Sequence, residues 1–118
     1  RAGRMERVLL QQLLCQQIYL EKEAFKKEIL NASKEDIYAA AYKIDCMLTI
    51  YEQLAELSQK MDVATLCSVV TLPDILAHSY SVWLEREDSG WLELQTCLTE
   101  EINKRTAIQQ EQERMGAE

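Results

Sequence analysis

The run SKEDIYAAAYKIDCMLTIYEQLAEL, residues 33–57, decides how this chain folds. Its apolar positions Ile37, Ala41, Ile44, Leu48, Tyr51 and Ala55 recur at steps of four and three, the spacing that gathers side chains on one face of an α-helix. Ala40, Met47 and Leu54 form a second row beside the first. Two adjacent rows mean more than one neighbour, so this helix, over residues 37–57, is expected at the centre. Ser33, three residues before Asp36, resembles a capping box, with an acid suited to the positive helix end. The same spacing also fits a two-stranded coiled coil, but two heptads between breakers are short for one.

Working outward, residues 5–30 read as a first helix. At about 100° per residue, Leu10, Leu14, Ile18, Phe25 and Ile29 share one sector, while Gln12, Gln16, Glu23 and Lys27 lie opposite. On the other side, Asp62 can cap a short helix carrying Val63, Leu66, Cys67 and Val70. Thr71-Leu72-Pro73-Asp74 then reads as a helix start, where proline is tolerated because first-turn amides have no intrahelical acceptor. That helix presents Leu72, Ile75, Leu76, Ser79, Val82 and Trp83 and ends at Asp88-Ser89-Gly90. A last helix from Trp91 carries Leu94, Cys97, Leu98 and Ile102, beyond which Ile108 and Met115 are isolated among polar residues. The expectation is an all-α fold, a bundle of four to five helices, anchored by Ile37, Ala41, Ile44, Leu48, Trp83 and Leu98. Residues 5–104 are expected to form one domain, residues 1–4 an appended or disordered tail, and residues 105–118 a projecting or fraying helix end.

Composition agrees with helices. Three glycines and one proline among 118 residues leave few turns for a many-stranded sandwich, a barrel or a Gly-rich nucleotide fold. Hydrophobic residues make up 47% and charged residues 28%, enough apolar surface to offset the entropy of ordering one domain. The net charge of −7 is uneven: residues 1–30 hold six bases and four acids, residues 71–118 four bases and ten acids. Phosphate backbones and anionic lipids are repelled by such a balance, so neither direct nucleic-acid binding nor membrane binding is expected. No apolar run reaches the roughly 18 residues needed to span a bilayer. Cys15, Cys46, Cys67 and Cys97 include no C-x-x-C pair and read as small buried thiols of a reducing compartment, hence a cytoplasmic protein.

Chemistry finds little footing. His78 is the single histidine, and Asp74 one turn earlier could orient its imidazole. One such pair makes no catalytic site: no nucleophile elbow occurs, and one histidine cannot supply the paired Glu-x-x-His motifs of a di-metal bundle. Glu85, Glu87 and Asp88 are acidic but lack the alternating ligands of a calcium loop. Residues 62–86 have the outline of a helix-turn-helix, yet the second helix would offer Asp74, Ala77, His78, Ser81 and Glu85 to the groove, with Arg86 as its one cation. No enzyme activity, cofactor or metal is expected.

Phe25-Lys26-Lys27-Glu28, Ser33-Lys34-Glu35-Asp36-Ile37, Ala41-Tyr42, Asp45-x-x-Leu48, Leu72-Pro73 and Tyr80-Ser81-Val82-Trp83-Leu84 together resemble a family of small all-helical domains of unknown function. That family is found in Gram-positive gut bacteria, their phages and integrative elements, and the similarity covers roughly residues 8–104. It implies a helical fold and a mobile-element setting, and no activity. Together with the residues, it points to a non-enzymatic module binding an unidentified protein partner. An exposed helix face or the acidic surface of Glu85, Glu87, Asp88, Glu93, Glu100, Glu101 and Ile108 would form the contact. A nucleic-acid-mimicking inhibitor of a host DNA- or RNA-binding protein is the alternative, an enzyme using Asp74 and His78 a further one. Homodimerisation through the second helix or the 91–108 face is also expected as an option.

Overall fold

In the structure, a computed structural model, residues 2–85 and 91–117 are described, with the side chains of residues 2, 91–93 and 117 outside that description. The described residues are all-helical, 88% helix. Among the described residues six helices follow one another: α1 (Ala2–Leu30), α2 (Lys34–Ala39), α3 (Ala41–Ser58), α4 (Val63–Val70), α5 (Ile75–Leu84) and α6 (Trp91–Ala117).

The count exceeds the expected four to five because the central helix is divided. Ser33 does cap it, its hydroxyl accepting from the Asp36 amide at 3.1 Å. At Ala40 the backbone swings to φ −92, ψ 9 and its amide is shared between the carbonyls of Asp36 and Ile37. The Ala40 carbonyl then accepts from Ile44 and restarts the ladder as α3. No proline or glycine marks this break, so periodicity alone reads through it.

The buried face of α3 also differs from the expected one. Cys46, Met47, Ile50 and Leu54 are buried; Ile37 and Ile44 are half-buried, Ala41 is exposed, and Leu48 is 45% exposed. Of the expected core anchors, only Trp83 and Leu98 therefore lie in the core. The second row, with Met47 and Leu54, is the one that packs, because α3 meets α1 on one side and α5 on the other, and the arc between them is centred on Ile50. Burying each such leucine or isoleucine is worth about 1.5–3 kcal/mol, so this arc carries most of what α3 contributes.

Leu14 and Ile18 of α1 enter the same core, joined by Leu66 and Val69 of α4, Ile75, Leu76 and Trp83 of α5, and Leu94, Cys97, Leu98 and Ile102 of α6. α1 packs on α3 and α4, and α6 closes the opposite side against α4 and α5. Asp62 caps α4 through the Thr65 amide at 2.8 Å, and those hydrogen bonds hold its carboxyl below the ordinary carboxylate range. α5 starts at Ile75, so Pro73 precedes the cap and lies outside the first turn. Asp74, at the cap, is left-handed (φ 53, ψ 43) and caps nothing with its own side chain, a conformation that short polar residues tolerate at a cost of about 1 kcal/mol. Among the described residues no single helix is long and apolar enough to cross a membrane.

Candidate functional site

His78 points to α6 and its carboxylate partner is Glu101, not Asp74. His78 Nε2 lies 2.6 Å from Glu101 Oε2, and Arg105 Nε donates to the same oxygen at 3.2 Å. Two lone pairs would repel at 2.6 Å, so Nε2 carries a proton and donates it to the carboxylate. Arg105 Nη2, 3.3 Å from that nitrogen, is then a neighbouring charge rather than a donor to it. Burial is the largest influence on Glu101 and opposes its ionisation. The hydrogen bonds and charges of His78 and Arg105 together outweigh it, leaving the carboxyl below its ordinary value.

This cluster ties α5 to α6 beside a small recess of about 240 Å³ bounded by Leu72, Pro73, Ile75, His78 and Arg105. Asp74 is exposed and meets His78 only through the backbone, its carbonyl accepting the His78 amide at 2.9 Å. The Asp74–His78 side-chain pair expected from the sequence is thus absent, because the left-handed turn at Asp74 removes its carboxylate from the helix face.

Only part of the expected acidic surface lies among the described residues. Glu85 is exposed at the end of α5, Glu87 and Asp88 lie outside the described residues, and Glu93 is described only in its backbone. Glu101 is half-buried in the cluster, whereas Glu100 is exposed on the rim of a cleft of about 560 Å³ between the α3–α4 turn and α6. Leu57, Met61 and Ile102 border that cleft along with polar Lys60, Thr65 and Asn103. Ile108 is 43% exposed two turns beyond Glu101. Among the described residues, no three His, Cys, Asp or Glu side chains are grouped to hold a metal ion. Cys46 and Cys97 are buried, Cys15 half-buried and Cys67 exposed, so the expectation of four buried thiols holds for two. Trp83 Nε1 finds Tyr42 Oη at 3.3 Å; burial pushes the neighbouring Cys46 thiol up.

The polar work of α1 escaped the sequence reading. Glu21 accepts from the amides of Leu76 and Ala77, both at 2.9 Å, taking the place of the N-cap side chain that Asp74 does not supply. Gln17 donates to the Val70 carbonyl at the end of α4 at 3.0 Å. Arg7 donates to the carbonyls of Ser58, Gln59 and Met61 at the end of α3. A signal for these was present: at about 100° per residue, Arg7 and Glu21 fall inside the sector shared by Leu10, Leu14, Ile18 and Ile29, where an unpartnered charge would be costly.

A second face of α1 was also missed. Met5, Leu9, Leu13 and Leu20 are 67%, 60%, 44% and 57% exposed, and at about 100° per residue they share one narrow arc well away from Leu14 and Ile18. Two shallow grooves run along it, about 400 Å³ beside Met5, Leu9 and Leu13, and about 520 Å³ between Leu20, Ala24 and the α4–α5 turn. No known protein family, curated protein or solved structure matches the chain.

Proposed function

We propose that the protein is a non-enzymatic protein–protein interaction module, in the mobile-element setting implied by the family resemblance, and that it binds through the outward face of α1. The observation that carries this reading is the stripe Met5, Leu9, Leu13 and Leu20, which the bundle leaves in water. A stripe of about 400 Å² is comparable to the largest apolar patch on a typical monomer, and such patches are often functional. The acidic third supports the contact less well, since Glu101 is occupied by His78 and Arg105, and Glu111 is paired with Arg114.

The test is a photo-crosslinking residue at Leu9, with Thr99, exposed on α6, as the control position, irradiated in cells of the source organism. Protein adducts at position 9 and none at position 99 are expected. Equal adducts at both positions, or none at 9, would remove the reading.

A further inference from the structure

We propose that the outward face of α1 is covered by α1 of a second copy, antiparallel across a two-fold axis beside Gln16, so that the protein is a homodimer. This rests on the reading of that face as the contact surface and names its occupant. The arrangement follows from the order of residues along the stripe. With the axis there, Leu13 lies opposite Leu20 of the second copy, Leu9 opposite Ala24, and Glu6 opposite Lys27. Each pair occurs twice by symmetry.

Charge selects this register from its neighbour. Moving the axis half a turn toward the N-terminus sets Leu9 against Leu20 but brings Glu6 against Glu23, and like charges facing each other disfavour an interface. At the proposed register the stripe ends in two Glu–Lys pairs, and uncharged Gln16 sits at the axis. The face is therefore complementary to itself reversed, as a two-fold contact requires.

Area is sufficient. Four side chains, each roughly half exposed or more, offer on the order of 100 Å² each. That gives about 400 Å² of apolar surface per copy, to which the flanking Glu6, Gln12, Gln16 and Lys27 add. Together these approach the roughly 600 Å² per partner at the low end of specific interfaces. The two grooves lie along the same side of α1 and give a second helix a seat. Elsewhere among the described residues the large exposed apolar side chains, such as Leu48, Leu84, Ile108 and Met115, belong to separate helices or are turns apart.

Sedimentation equilibrium of the full chain from about 1 to 200 μM measures the association. A mass of about 27 kDa, twice the 13.7 kDa chain, is expected. Leu13→Glu with Leu20→Glu should weaken association about 100-fold or more with the helical circular dichroism unchanged, because both residues are exposed in the single chain. Lys27→Glu and Glu6→Lys should each weaken it about tenfold, and combining them should restore it to within about threefold of the parent. A 13.7 kDa mass throughout, a dimer indifferent to the leucine substitutions, or a charge swap without rescue would each overturn the proposal. The crosslink at Leu9 separates the two readings: an adduct with a different protein, from a chain that sediments as a monomer, ends the homodimer and leaves the interaction module standing.

Discussion

α1 and α6 are the two long helices, of 29 and 27 residues, and they are held in opposite ways. α1 is tied along its length: Arg7 to the end of α3, Gln17 to the end of α4, Glu21 to the start of α5. Toward its C-terminus α6 makes hydrogen bonds mostly within itself, Gln109 to Glu113 and Arg114 to Glu111, with Thr71 to Gln109 the exception. Residues 110–116 are exposed. Length therefore does not set how firmly a helix is held. What counts is whether its polar side chains find the loose backbone groups at other helix ends, which must be satisfied by something.

Substitution can break or sharpen that contrast. The largest effect is expected from Ile18→Ala, which empties a wholly buried site and should cost about 3–4 kcal/mol in urea unfolding. Ile108→Ala on α6 should cost under about 0.5 kcal/mol; similar losses at both positions would erase the difference. Glu21→Ala should come next, at about 1.5–2 kcal/mol, since it leaves the Leu76 and Ala77 amides without their charged acceptor. Amide exchange at residues 76 and 77 should accelerate with it, while Glu113→Ala stays near zero.

Acid unfolding probes the His78–Glu101–Arg105 cluster, which fastens α6 to α5. The Glu101 carboxyl lies below its ordinary value of 4.5 in the fold, so the unfolded chain binds its proton more readily. The stabilisation is present above about pH 4.5 and is lost as the pH falls through the lower folded value. Glu101→Gln should therefore flatten the fall in stability below pH 4.5, and an unchanged slope between pH 3 and 6 would show that the cluster does not fasten the helices. The smallest effect belongs to the exposed end: removing residues 111–118 should shift stability by less than about 0.3 kcal/mol.

What was legible in the sequence was local. Leu14 and Ile18, the Ser33 and Asp62 caps, and the Trp83 and Leu98 anchors were all readable, because each depends on residues within a turn or two of itself. The inward face of α3 was not. Ile44 and Leu48 recur with the same period as Ile50 and Leu54, and periodicity defines a stripe without saying which neighbours will cover it. The candidate site failed for a related reason: the carboxylate that meets His78 is 23 residues away on another helix, whereas the sequence offered Asp74 one turn away. The outward stripe of α1 was hidden by Gln12 and Gln16, which make that side look polar when read along the chain.

The capping contacts of α1 also set an order of events when the chain is made. Arg7, Gln17 and Glu21 reach partners 51 to 56 residues downstream, so the first helix leaves the ribosome well before the groups that complete it. At about 5–20 residues per second that wait is roughly 3–11 seconds. Throughout it, the nascent segment carries two oily sides and three unsatisfied polar arms. It is then at its stickiest, and a chaperone that shields hydrophobic segments would meet α1 before the helices that cover it.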